Sequence, residues 1–120
     1  MKLYESSEDY LERILILTNK NGSVRSIDIV EDMHFSKPSV SVAMKKLKEN
    51  GYILIDSKGY ISLTSSGLEV ASKTLERHQV LTDWFISLGV NEKIAQEDAC
   101  RIEHDLSEET FNAIKKAISK

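Results

Sequence analysis

The chain has 120 residues, 41% hydrophobic and 29% charged, with a formal net charge of −3. That length fits one domain or a small domain with an interaction appendage, and the apolar share is ordinary for a folded chain and argues against disorder. No apolar run approaches the ~20 residues that a membrane helix needs. The start, Met1-Lys2-Leu3-Tyr4-Glu5, lacks a signal-peptide apolar region, and a single cysteine excludes an internal disulfide. A cytoplasmic protein with no membrane partner is expected.

The acidic sum hides an uneven distribution. Residues 1–60 hold nine basic and nine acidic side chains, and residues 61–120 hold seven and ten. Lys37, Lys45, Lys46 and Lys48 fall within twelve residues that contain no acid, whereas between Asn91 and Glu109 seven acids face two bases. A phosphate backbone suits the first region and a cation suits the second.

In chain order, the spacing of Leu11, Ile14, Leu15 and Leu17 predicts a helix from about Ser7 to Lys20, ended by Asn21-Gly22. Ser26 is placed to cap a short second helix, Ile27 to about Met33, and His34-Phe35 forms a turn. Ser36 caps a third helix with Pro38 in its first turn, where the missing N–H does no harm. That helix runs through Val40, Val42, Met44 and Leu47 to Asn50, and Gly51 suits the position just past its end. Tyr52-Ile53-Leu54-Ile55 and Tyr60-Ile61-Ser62-Leu63 read as strands joined by Asp56-Ser57-Lys58-Gly59. Ser66-Gly67-Leu68-Glu69 resembles a capping box opening a long helix to about Leu88, stopped by Gly89. Asn91 caps a further helix to about Asp105, and Ser107 opens a last one.

The order helix–helix–helix–strand–strand is that of a winged helix-turn-helix, whose third helix enters the major groove of DNA. The expected fold is therefore mostly α with a small β-hairpin: a DNA-binding domain over residues 1–64, then an α-helical metal-binding and dimerisation region over residues 65–120. The DNA-binding set is Ser36, Lys37, Pro38, Ser39, Ser41 and Lys45, with serines near the helix start for phosphates or base edges and lysines adding charge. Lys45, Lys46 and Lys48 also fit an ordinary solvated face. No Arg or Asn occupies an obvious base-reading position before Asn50.

Two further clusters carry metal chemistry. In Asp98-Ala99-Cys100-Arg101-Ile102-Glu103-His104-Asp105, helical spacing i, i+3, i+4 turns Cys100, Glu103 and His104 the same way. A thiolate, a carboxylate and an imidazole then converge, which suits a transition metal. Asp9 and Glu12 lie three apart on the first helix. Asp9 equally suits a capping box with Ser6, Glu12 alone reads as a solvated acid, and Glu97 as a surface acid.

Together these segments resemble the family of the diphtheria toxin repressor and the manganese transport regulator. The resemblance rests on Ser6-Ser7-Glu8-Asp9-Tyr10-Leu11-Glu12, Ser36-Lys37-Pro38-Ser39-Val40-Ser41, Leu63-Thr64-Ser65-Ser66-Gly67, Glu76-Arg77-His78 and Asp98 to His104, in that order. It implies a homodimeric transcriptional repressor that binds double-stranded operator DNA when loaded with Fe²⁺ or Mn²⁺, with Zn²⁺ able to substitute in vitro. It further implies one metal site from Asp9, Cys100, Glu103 and His104, and a second from Glu12 and His78 with Glu103 shared. The two acids match the manganese branch and the cysteine matches the iron branch. Thr82 and Gln96 stand where the iron branch has an acid and a histidine for an ancillary metal. Larger members append a third small domain, which is not expected with the chain read as ending at Lys120.

An apolar set of Val90, Ile94, Ala95, Phe111, Ile114 and Ile118 is expected to pair two subunits. No catalytic residue is assigned, since nothing supplies a substrate pocket, and the protein is not expected to be an enzyme. The alternative, a metal-independent winged-helix regulator that senses a small molecule, leaves Cys100, Glu103 and His104 unexplained.

Overall fold

The computed structural model describes residues 5–119. The chain divides into two compact units, Met1–Ser72 and Lys73–Lys120. Among the described residues the order is α1 (Glu5–Asn21), α2 (Ser26–Met33), α3 (Lys37–Glu49), β1 (Ile53–Ile55), β2 (Ile61–Leu63), α4 (Ser65–Ser87), α5 (Glu92–Ile102) and α6 (Glu108–Ile118).

The first unit has the expected helix-turn-helix and hairpin. Its core is one stripe from each helix: Tyr10, Leu11, Ile14 and Leu17 of α1, Ile29 of α2, and Val40, Met44 and Leu47 of α3. Val24, Ile53, Ile61 and Ala71 complete it. Each large side chain so buried contributes roughly 1.5–3 kcal/mol before entropy is counted. Arg13 Nε lies 3.0 Å from Asp32 Oδ2, tying α1 to α2. Tyr10 meets Phe35 edge-on at 5.8 Å, and burial raises its phenol pKa above the ordinary value.

The turn between α2 and α3 is set by His34, whose φ of 58° and ψ of 35° are left-handed. Ser36 then caps α3 as expected: its Oγ accepts from the Ser39 N–H at 3.2 Å. The strands pair antiparallel with Leu54 opposite Ser62. Asp56 Oδ1 accepts from the N–H groups of Lys58 and Tyr60, each at 2.9 Å, and so closes the turn. The stretch ahead of α2 also joins this hairpin, through the Ile61 N–H to the Val24 carbonyl at 2.8 Å and an Arg25–Tyr60 bridge.

Several boundaries differ from the sequence expectation, each for a local reason. α1 begins at Glu5, so Ser6 and Asp9 lie inside it and form no cap. Arg25 rather than Ser26 precedes α2, its own N–H donating to Asp28 Oδ2 at 2.8 Å. Thr64, not Ser66, caps α4. Its Oγ1 accepts from the Gly67 N–H at 3.2 Å and donates to the Gly51 carbonyl at 2.7 Å. Val42 does not join the core stripe of α3 and is exposed.

The second unit holds the remainder of α4 with α5 and α6. Gly89, at φ 97°, ends α4, and Asn91 Oδ1 starts α5 by accepting from Lys93 N–H at 2.9 Å. Ser107 Oγ accepts from Thr110 N–H at 3.1 Å at the start of α6. α5 stops at Ile102 rather than Asp105, and Glu103 is its C-cap. Leu81, Ala95, Ala99 and Phe111 are buried. Arg77 fastens the α5–α6 turn to α4: its Nη1 donates to the carbonyls of Glu103 at 3.0 Å and Leu106 at 2.7 Å. The guanidinium lies 5.1 Å from the centre of the Phe111 ring, a stacking contact worth about 0.5–1 kcal/mol. Lys115 Nζ, 3.0 Å from Glu76 Oε1, links α6 to α4.

Gly67 offers a direct test of the hairpin against α4. A Cβ there falls well inside contact distance of the Tyr52 carbonyl oxygen and 3.2 Å from Leu63 Cδ2. Alanine favours helix over glycine by about 1 kcal/mol, but forced overlap with backbone costs about 1–3 kcal/mol. Gly67→Ala is therefore expected to lower the midpoint of urea denaturation; an unchanged or raised midpoint would show that the helix start yields freely.

Candidate metal centre and nucleic-acid interface

Glu103 is the centre of the first candidate site. It is 1% exposed, and a carboxylate buried to that degree is costly unless positive or donor groups face it. Two imidazoles do. His78 Nδ1 of α4 lies 2.9 Å from Oε2, and His104 Nε2 lies 3.4 Å from Oε1. The side chain of His104 is 3% exposed and that of His78 28%. Oε1 itself is buried and accepts no hydrogen bond from the described residues.

The turn that carries Glu103 and His104 follows a helix C-terminus, where carbonyls point outward without intrahelical partners and a negative charge is disfavoured. Arg77 answers both difficulties by placing its charge on the Glu103 and Leu106 carbonyls. No sequence signal marked this role, because the bonds span 26 and 29 residues.

Cys100 sits one turn earlier on α5. Its thiol is exposed, and its Sγ lies within 4.8 Å of a carboxylate oxygen of Glu103. The three residues read as one helical face thus divide: the helix carries Cys100, while Glu103 and His104 stand at and beyond its end. Cys100 and His104 each still approach Glu103, which keeps helical backbone angles of −60° and −28°. Oxygen, imidazole nitrogen and thiolate sulfur together form a donor set suited to Fe²⁺, Zn²⁺ or Mn²⁺. The buried Oε1 of Glu103 with no hydrogen bond is the feature that such an ion would satisfy. In the first unit, Asp9 and Glu12 occupy one face of α1, Asp9 partly buried and Glu12 buried. Of the residues at the implied ancillary position, Thr82 is buried and Gln96 exposed.

The second candidate site is the outer face of α3. Ser36, Lys37, Pro38, Ser39, Ser41 and Lys45 are all exposed, as are Lys46 and Lys48. The Ser36 hydroxyl donates to Ser39 Oγ at 2.8 Å, so the two hydroxyls are held as a pair at the helix start. A helix N-terminus with exposed hydroxyls and flanking lysines is suited to phosphate contact.

Comparison with known proteins identifies both units at the level of the domain. Residues 2–61 match the family model of the iron dependent repressor N-terminal DNA binding domain, and residues 64–120 match that of the iron dependent repressor metal binding and dimerisation domain. The transcriptional regulator MntR of Escherichia coli is 36% identical over 112 residues, spanning 92% of this chain and 72% of the relative. An uncharacterised HTH-type transcriptional regulator of Methanocaldococcus jannaschii is 34% identical over 113 residues, spanning 92% of this chain and 90% of the relative. The solved structure of the manganese regulator SloR superposes with a TM-score of 0.84 at 27% identity, covering 94% of this chain and 53% of that one. The chain therefore spans about half the length of that structure. The two family-model matches together span nearly the whole chain and make it a member of the iron-dependent repressor family of metal-dependent transcriptional regulators.

Proposed function

We propose that this chain acts as a homodimeric repressor, without enzymatic activity, that binds operator DNA in the cytoplasm when a divalent metal occupies the Glu103 cluster. The observation that carries the reading is the buried Glu103 carboxylate set between His78 and His104 in a chain whose other unit is a DNA-binding module. The principal site is read as Asp9, Cys100, Glu103 and His104, and a weaker one as Glu12 and His78 with Glu103 shared. Two acids on one face of α1, with Glu12 buried despite its charge, support the inclusion of α1.

When bound, a divalent cation supplies the positive charge that offsets these carboxylates. Without such charge, Asp9, Glu12 and Glu103 repel any arrangement that draws them together. Arg77 keeps the Glu103–His104 turn in place in either state. His78 and His104 supply nitrogen lone pairs, and the Cys100 thiolate makes the donor set softer, favouring Fe²⁺ over Mn²⁺ relative to a carboxylate there. Ser36, Ser39 and Ser41 contact phosphates or base edges while Lys37 and Lys45 hold the backbone. By linkage, whatever factor metal adds to DNA affinity, DNA adds to metal affinity.

Dimerisation is attributed to the second unit, with a corrected surface. Ala95 and Phe111 are buried within the subunit and unavailable to a partner. Ile94 and Ile118 are exposed, and Ile86 and Leu88 join them as exposed apolar side chains of the same unit. Placing two reading helices about 34 Å apart fits successive major grooves.

Three outcomes test the reading. Sedimentation at micromolar concentration is expected to show a dimer, and Leu88→Glu to shift it toward monomer; a wild type that is monomeric with and without metal would refute the dimer. Lys45→Ala should weaken binding to all DNA sequences alike and reduce the salt slope by about one unit; unchanged affinity and slope would displace the docking. Cys100→Ala should abolish metal-dependent DNA binding, and Cys100→Glu should shift activation toward Mn²⁺, read as DNA affinity against Fe²⁺, Mn²⁺ and Zn²⁺ under anaerobic conditions. If Cys100→Ala answers metal like the wild type, the thiol is no ligand.

A further inference from the structure

The outer face of α3 is polar apart from Pro38 in its first turn and one position further along. Val42 is 55% exposed, the one exposed large hydrophobic side chain on that helix. At 3.6 residues per turn, Val42 points roughly 165° away from the middle of the buried stripe of Val40, Met44 and Leu47. It therefore stands at the centre of the outward face, with Pro38 and Ser39 one turn before and Lys45 and Lys46 one turn after. Nothing in the folding of the subunit accounts for it. Valine is a poorer helix former than lysine, glutamate or alanine, and here more than half of its surface stays exposed.

The surroundings indicate what covers it. Lys37, Lys45, Lys46 and Lys48 border the position, and no acid occurs from Lys37 to Lys48. A surface with a basic rim and one apolar centre is complementary to the major groove, where phosphates line the edges. The apolar group that base edges present there is the C5-methyl of thymine. A valine side chain has no donor or acceptor, so it cannot recognise guanine, adenine or cytosine by hydrogen bonding. Its branched carbon holds essentially one rotamer in a helix, so its methyl groups are pre-positioned.

We propose that Val42 is a specificity-determining residue that reads a thymine methyl group in each operator half-site. The inference rests on the DNA-binding reading and deepens it, since the helix offers no Arg or Asn for hydrogen-bonded readout before Asn50.

The experiment uses the full chain loaded with Mn²⁺. A duplex enriched from a randomised DNA pool serves as probe, and its thymines are replaced singly by deoxyuridine, which removes only the methyl group. Loss of one methyl contact corresponds to about fivefold in affinity. Wild type is expected to lose about fivefold at one thymine position per half-site, and about twenty-five-fold when both half-sites are altered. Val42→Ala is expected to be indifferent to deoxyuridine at that position, to match the wild type at every other thymine, and to melt no lower than the wild type. If wild type is insensitive at every thymine, or Val42→Ala keeps the full sensitivity, Val42 does not read thymine although the repressor reading stands. If no duplex is enriched with or without metal, the DNA-binding reading falls and this inference with it.

Discussion

A negative charge removed from water is the constraint around which the second unit is built. Glu103 is almost wholly buried, and a carboxylate left there without polar partners would cost the fold dearly. The fold keeps it by facing it with His78 and His104 and by placing the cation of Arg77 on the adjacent carbonyls. Paired buried charges seldom stabilise a protein beyond what apolar packing would achieve. A carboxylate flanked by imidazoles offers donors that an ion could use, and a leucine there would offer none.

The first unit is built on the opposite principle. Its core cluster is apolar, drawn from three helices and a hairpin, although Glu12 of α1 is buried as well, and its exposed polar face is that of α3. Its conformation is fixed by the left-handed turn at His34, the Ser36 cap and the Thr64 bond to Gly51.

Features decided within three or four residues were legible in the sequence. The Ser36, Asn91 and Ser107 caps and the hairpin turn at Asp56 each depend on one side chain and a nearby backbone group. The start of α4 was misplaced by two residues because Thr64 has a partner at Gly51 that no local pattern reveals. The end of α5 was overextended because the Arg77 bonds that stop it come from another helix. Ala95 and Phe111 looked like partner-facing residues, since an apolar face does not say whether its cover is the same chain or a second one. Helical spacing grouped Cys100, Glu103 and His104, but could not tell that Glu103 is the buried member and Cys100 the exposed one.

Arg77 grips main-chain oxygens, and those are present whatever residue occupies the turn. One nitrogen with two hydrogens serves the carbonyls of Glu103 and Leu106 together. The side chains of Asp105 and Leu106 are thereby relieved of any duty in aligning the centre, and they can drift over evolutionary time without disturbing it. The mutational burden is concentrated instead on a single codon 26 residues upstream of Glu103. In a comparison of such chains, variation within the turn would be uninformative about the centre, and the informative covariation would be between the arginine and the length of the turn.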